Sequence, residues 1–284
     1  GADAACAAAK EAGRNRIHCF AENDIELMRR RREMQWAARI NNALEEARFE
    51  LFRQTILPLQ DNTESGAHYE LLLRMRDENG NVVSPELFIA AAERYGITPN
   101  IDRWVIENAF RWLVSEADER ERLSLCSINL SGQSLGDDKF LPFVVDQFRR
   151  SGLDAGKICF EITETAAVAS YSQAKRFIQS LKELGCKFAL DDFGTGLSSF
   201  GYLKHFPVDF LKIDGSFVKE ILHDPIDREM VRSINEIGHL TGKRTIAEFA
   251  ENVEIITMLR GLGVDYAQGY GVSEPSRIAA AIVA

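Results

Sequence analysis

The sequence predicts a TIM-like (β/α)8 barrel of the α/β class, with its first strand antiparallel and a connecting helix ahead of it. Three observations predict it. Eight short runs rich in β-branched and aromatic residues recur between Phe49 and Gln268. Amphipathic segments of helical period separate most of them, the pattern of a parallel sheet covered by helices. The first connection breaks that pattern. Only PLQDNTESGA lies between Leu57 and His68, a turn-like linker without room for a helix, so the first two strands should pair as a hairpin.

The elements follow in order. GADAACAAAKEAGRNRIHCF (residues 1–20) reads as an alanine-rich helix, a turn and a short strand, too little to bury a core of its own. A charged connecting helix occupies about residues 21–47, with Met34, Ala37, Asn41, Leu44 and Ala47 at helical spacing along its expected packed face. The run Arg29–Arg32 within it is read as a solvated face balanced by Glu26, Glu33, Glu45 and Glu46. The barrel domain then runs over 48–284, with strands expected at 49–57, 68–75, 123–130, 157–163, 186–191, 208–213, 243–248 and 264–268. Helical segments are expected at 85–95, 101–117, 171–184, 227–240 and 252–262.

Bulk properties narrow the class of function. With 284 residues, 45% apolar and 27% charged, the chain has the composition of an ordinary globular protein. A net charge of -9 argues against DNA or RNA as a general partner. Five scattered cysteines, none in a C-x-x-C spacing, fit reduced thiols in the cytoplasm rather than a disulfide framework or a zinc site. No apolar run approaches the roughly 18 residues needed to cross a bilayer, so no membrane contact is expected of this chain.

In such barrels chemistry gathers at the carboxyl ends of the strands. Glu70 lies in the second predicted strand and Asn129 near the end of the third. Glu161 lies in the fourth, Asp191 and Asp192 end the fifth, and Lys212, Glu248 and Gln268 fall in the sixth, seventh and eighth. One such residue among buried β positions is ordinarily a satisfied core ion pair. Seven strands that each supply one point to a common polar mouth, because each costs several kcal/mol unless paired or metal-bound. The candidate ligands are all oxygen donors, and no histidine falls at a strand's carboxyl end, so a hard Mg²⁺ or Mn²⁺ suits the site better than zinc. In KFALDDFGTGLSSF, adjacent Asp191 and Asp192 would repel unless one bridged two cations, an arrangement used in phosphoryl chemistry. DFGTG after them reads as a mobile closing loop. Arg74, four residues after Glu70 on the same strand face, suits a phosphate.

These residues stand in motifs that resemble the EAL-domain family of cyclic-di-GMP phosphodiesterases over about residues 48–276. The motifs are YELLLRM, INLS, EITET, DDFGTG, LKID, AEFAE and QGY, in the family's order. The resemblance implies opening of cyclic-di-GMP to linear pGpG by a metal-activated water, with two metal ions. It implies Glu70, Asn129, Glu161 and Asp191 as ligands of the first ion and Asp192 as ligand of a second that shares Asp191. It further implies Glu248 as ligand or base for the water, Lys212 as its partner, and Glu251 and Gln268 as positioning groups. Glu164 becomes the anchor of the loop after the fifth predicted strand, and Gln54 and Arg74 contacts to the dinucleotide. A homodimer and a cytoplasmic location, with a parent protein that the inner membrane can anchor, are family expectations.

Several positions depart from the family pattern: Thr55 replaces a usual proline, Gly215 a charged residue, and Phe249, Ala250 and Asn252 the usual Gly, Val and Thr. Bulky Phe249 is expected to displace the Glu248 carboxylate. Residues 1–20 resemble the end of a GGDEF diguanylate-cyclase domain without its signature loop, which implies a GGDEF–EAL parent. A receptor that binds cyclic-di-GMP without cleaving it stays open as the alternative, disfavoured by the complete ligand set. A Mg²⁺-dependent lyase or aldolase barrel would leave Arg74 without a purpose.

Overall fold

The computed structural model describes residues 25–61, 66–195 and 200–278, with side chains described from Gln35 onward and that of Phe200 excepted. The reading of residues 1–20, the Arg29–Arg32 side chains and the far part of the DFGTG loop lie outside these. By contacts the chain forms two compact units. One ends at Phe49 and resumes over Met75–Ile97; the other comprises Glu50–Arg74 and the chain from Thr98 onward.

The first unit holds helix α1 (Ile25–Glu45) and helix α2 (Pro85–Arg94). Helix α1 buries Ile40 and Ala43, half-buries Ala37 and Leu44 of the predicted face and exposes its Asn41 and Ala47, the Met34 side chain lying outside the described residues. The register turns because polar Asn41 gains nothing from burial, and Ala47 (φ 53°) already caps the helix in the left-handed region. Opposite it, α2 buries Phe88, Ala91 and Ala92.

The second unit is a closed eight-strand barrel, as expected. Strands β1 (Phe49–Pro58) and β2 (Ala67–Arg76) precede the short β3 (Val82–Val83). After them come β4 (Leu123–Leu130), β5 (Ile158–Thr163), β6 (Lys187–Phe193), β7 (Phe210–Ile213), β8 (Arg244–Ala247) and β9 (Tyr266–Gln268). The closed order is β1-β2-β4-β5-β6-β7-β8-β9. From β2 to β9 every pairing is parallel, whereas β1 runs antiparallel to β9 with Ile56 opposite Gln268. A two-residue strand β10 (Ser276–Arg277) pairs antiparallel with β1 at Phe52 and Arg53, beyond the stretch that β9 pairs.

The helices cover the barrel by the usual physics of an amphipathic face. Helix α8 (Tyr171–Lys182), for example, turns Ala174, Phe177, Ile178 and Leu181 inward at three- and four-residue spacing. Helix α10 (Pro225–Leu240) starts with Asp224 accepting from Ile226 N and Pro225 at its first position, both favourable at a helix start. Helix α3 (Thr98–Ser115) and short α4 (Ala117–Arg122) precede β4; α5 (Gly132–Gly136) and α6 (Phe140–Ser151) follow it. Helix α7 (Glu164–Ala169) follows β5, short α9 (Gly215–Lys219) follows β7, and α11 (Val253–Gly261) precedes β9. Asn252, a departure from the family pattern, caps α11 by accepting from Ile255 N, work that a threonine does equally.

Candidate active site

Side chains alternate along a strand, so residues two apart share a face. Inside the barrel one layer is apolar: Ile56, Leu125, Cys159, Ala189, Phe210, Ile246 and Tyr266. Two residues further toward the mouth, on the same strands or, for Glu248, just past the end of β8, come Gln54, Ser127, Glu161, Asp191, Lys212, Glu248 and Gln268, joined by Glu70 from β2. β1 obeys the rule in reverse order because it runs the other way.

Lys212 sits at the centre, only 1% exposed. Its Nζ lies 2.5 Å from Glu161 Oε2, 2.9 Å from Glu248 Oε1, 3.1 Å from Asp191 Oδ1 and 3.4 Å from Glu70 Oε2. One ammonium therefore faces four carboxyl groups. Burial alone would lower its pKa, but those four neighbours hold it well above the ordinary lysine value. The carboxyl groups respond in kind. Burial, helped by Glu70 and Asp191 and opposed by Lys212, pushes Glu161 up to about 8. Burial also raises Glu248 well above the carboxylate range, with Asp191 and Glu70 adding to it against Lys212.

The paired aspartates reach this site through a backbone irregularity. The β6–β7 register slips between Leu190 and Phe193, and Asp192 stands at φ 54°. In a regular strand adjacent side chains point to opposite faces; the bulge removes that constraint. Carboxylate oxygens of Asp191, Asp192 and Glu248 consequently lie within 4.8 Å of one another. Burial, together with Asp191 and Asp214, raises the Asp192 pKa to about 6.

A hydrogen-bonded wall supports Glu70. Asn129 Nδ2 donates to Glu70 Oε1 at 2.5 Å, and Gln268 Nε2 donates to Glu70 Oε2 at 2.7 Å. Gln268 Nε2 also donates to Gln54 Oε1 at 3.1 Å, while Gln54 Nε2 donates to Ser273 O at 2.9 Å. Both polar ends of Gln54 are thus engaged by protein. Buried Glu164 accepts from Gly194 N at 3.1 Å and from Tyr202 Oη at 2.8 Å, gripping the chain on either side of residues 196–199.

Two predicted residues stand apart from the cluster. Glu251 is exposed on the loop after β8 and enters none of the cluster's bonds. Half-buried Arg74 donates from Nη1 to Leu73 O at 2.8 Å and lies 5.6 Å from the Phe52 ring centroid. Burial lowers its pKa, with Tyr270 and Glu70 acting against that. Glu248 itself is in the cluster, so the displacement expected from Phe249 does not occur: the aromatic ring turns onto α9 instead.

The donor set fits a hard divalent cation. Four carboxyl groups share one ammonium, and Glu161 Oε1 and Gln268 Oε1 are buried without a hydrogen-bond partner. Excess negative charge beside unpartnered oxygens is what a cation neutralises.

A family model described as EAL domain matches residues 37–275. The chain belongs to the EAL domain family. This EAL domain is similar to the cyclic di-GMP phosphodiesterase PdeB of Shewanella oneidensis, at 41% identity over 278 residues, covering 98% of this chain and 32% of that protein. It is also similar to the cyclic di-GMP phosphodiesterase PdeF of Escherichia coli, at 36% identity over 84% of this chain and 31% of that protein. The chain thus spans about a third of the length of these curated relatives. Among solved structures, the FimX EAL domain from Pseudomonas aeruginosa bound to c-di-GMP matches with TM-score 0.78 and 34% identity, over 85% of this chain and 96% of that one.

Sequence reading of this EAL domain missed Asp214 and Tyr202. Asp214, within the LKID motif, faces Asp192 from the end of β7. Tyr202 carried no periodic or motif signal, since only the fold brings it to Glu164.

Proposed function

We propose that this chain is a metal-dependent phosphodiesterase domain that hydrolyses cyclic-di-GMP to linear pGpG. The observation that carries the reading is the convergence of Glu70, Glu161, Asp191 and Glu248 on one buried Lys212 with Asp192 alongside, an acidic cluster deficient in positive charge. The family's cyclic di-GMP relatives supply the substrate.

In this reading Glu70, Asn129 (through Oδ1, its nitrogen being engaged by Glu70), Glu161 and Asp191 hold one Mg²⁺ or Mn²⁺ ion. Asp192, together with Asp191, would hold a second. When bound, the ions supply Lewis-acid activation and neutralise charge on the phosphoryl oxygens. The protein's own groups do the rest. Glu248, in its ionised form, takes the proton of the attacking water. Lys212 keeps its charge and orients Glu248 at 2.9 Å, then offsets charge that builds on the phosphoryl oxygens. Gln268 and Gln54 hold the Glu70 carboxylate in place, Glu164 anchors the loop after β6, and Arg74 contacts a phosphate of the dinucleotide. Glu251 acts only once substrate or loop brings it near.

We also propose that the parent is a cytoplasmic GGDEF–EAL protein whose EAL domain pairs with a second copy, residues 1–20 closing the cyclase domain. The test is to incubate the chain with cyclic-di-GMP and Mn²⁺ or Mg²⁺ and follow pGpG by chromatography. Metal-dependent product from the wild type and none from Glu70→Ala is the expected result. Tight binding with intact substrate would instead make the domain a receptor.

A further inference from the structure

Phe249 follows Glu248 directly and stands at φ 51°, a region that a bulky side chain occupies only when its surroundings hold it there. The residue is 48% exposed. What holds it is on α9. Lys219 Nζ lies 4.1 Å from the ring centroid, and Gly215 offers bare backbone beneath the ring. A methyl group added at Gly215 would fall 2.0 Å from Phe249 Cδ2, so the ring rests there only because residue 215 has no side chain. Two departures from the family pattern are therefore one contact.

Gly215 and Lys219 are four residues apart on one helix, the spacing that puts both on one helix face, and both meet the ring. Much of the residue's surface remains open to solvent. Consecutive Cα atoms are about 3.8 Å apart, so this open aromatic surface borders the Glu248 end of the acidic cluster.

We propose that the Phe249 ring is a stacking shelf for a purine base of the dinucleotide, its rear face held by Lys219 and Gly215. The proposal rests on the cyclic-di-GMP reading and adds a binding determinant to it. Bases stack on aromatic faces whatever their hydrogen-bonding edges, and a ring restrained beforehand loses little freedom on binding. The Lys219 cation restrains it through the ring's quadrupole. An exposed phenyl is a cost in the free protein, and a base laid on the ring removes that surface from water.

The test replaces Phe249 by Trp, Leu and Gly in the intact chain. It measures kcat and KM for cyclic-di-GMP, and Kd for the same nucleotide by calorimetry with and without Mg²⁺. Phe249→Leu, apolar but without a π-face, should raise KM and Kd about tenfold, the loss falling on KM rather than on kcat. Phe249→Trp should match the wild type or bind more tightly. Should the Leu variant fail to fold, Phe249→Gly, which relieves the strained φ, carries the same comparison. KM and Kd within twofold of wild type for Leu or Gly overturns the shelf. A wild type that binds but does not cleave defeats the phosphodiesterase reading alone, and the Kd ratio still decides the shelf. A wild type that does neither defeats both.

Discussion

Two layers of side chains inside one barrel, a single alternation apart, follow opposite rules. The layer of Ile56, Leu125, Cys159, Ala189, Phe210, Ile246 and Tyr266 is an apolar core in which volume and shape decide everything. Its histidine, His68, conforms by staying neutral: burial, then Lys212 and Arg244, lower its pKa to about 3. Two residues on, Glu161, Asp191, Lys212 and Glu248 crowd charges of which only one is positive. The first layer is built for the folded state alone. The second stays incomplete until something cationic enters, and that incompleteness is what marks it as functional.

Removing the single cation should give the largest effect. In Lys212→Met four carboxyl groups face a buried site with no counter-charge, and the metal-free protein should lose about 3–5 kcal/mol of stability. Added Mg²⁺ or Mn²⁺ should then raise Tm more in the variant than in the wild type, since binding to the folded state stabilises by mass action. Calorimetric melts with and without the ion check this. Equal metal-induced shifts in the two proteins would mean that the cluster is internally satisfied, as the apolar layer is.

The polar layer was legible in the sequence for a physical reason. A carboxylate or ammonium among β-branched neighbours is too costly to be incidental, and successive strands repeated the anomaly at the same end. The strands were legible because the β period and the helical period alternate cleanly along the chain. What escaped depends on tertiary context. Helix α6 contains Pro142, which reads as a breaker but sits in the first turn, where the missing N–H costs nothing. The β6 bulge that turns Asp191 and Asp192 to one site leaves no trace in the pattern DDF. The α1 face was misread because an apolar count over a charged helix does not choose between neighbouring stripes. Tyr202 and Lys219 matter only through residues distant in the chain.

A buried carboxylate away from the mouth sharpens the contrast. Asp102 Oδ2 accepts from Ser131 N at 2.9 Å, Ser131 Oγ at 2.7 Å and Ser134 Oγ at 2.6 Å, a satisfied structural network. Burial still wins over the Ser134 and Ser131 bonds and raises its pKa from 3.8 to about 6. The folded state therefore favours the protonated acid. This group's contribution to stability is complete below the unfolded value and is lost as pH rises through about 6. A rise of about two units corresponds to about 3 kcal/mol. Denaturant melts of wild type and Asp102→Asn between pH 4 and 7 should show the variant gaining on the wild type by up to that amount as pH rises. A difference independent of pH would show that the three bonds offset burial in full.

The smallest predicted stability change is also the most discriminating, because it compares Ile246 in β8 with Glu248 just past the end of that strand. Ile246→Val removes a methylene from the apolar layer and should cost about 0.5–1.5 kcal/mol of stability. It should leave turnover within about twofold, since no charge moves and the neighbouring layer keeps its register. Glu248→Gln should do the reverse. Burial and the facing Asp191 and Glu70 disfavour its ionised form, so the uncharged amide should leave the metal-free protein as stable as wild type or more so. Under the proposed mechanism this removes the proton acceptor and should cut kcat by about 10²–10⁴-fold. If Ile246→Val impaired turnover as strongly as Glu248→Gln, the two layers would not be separable. If Glu248→Gln destabilised the fold, the carboxylate would be serving the structure, and the incomplete layer would lose its claim to be a site. Stability gained where activity is lost, two residues from a position where the opposite holds, is the signature expected of charges kept apart from their counter-ions for use.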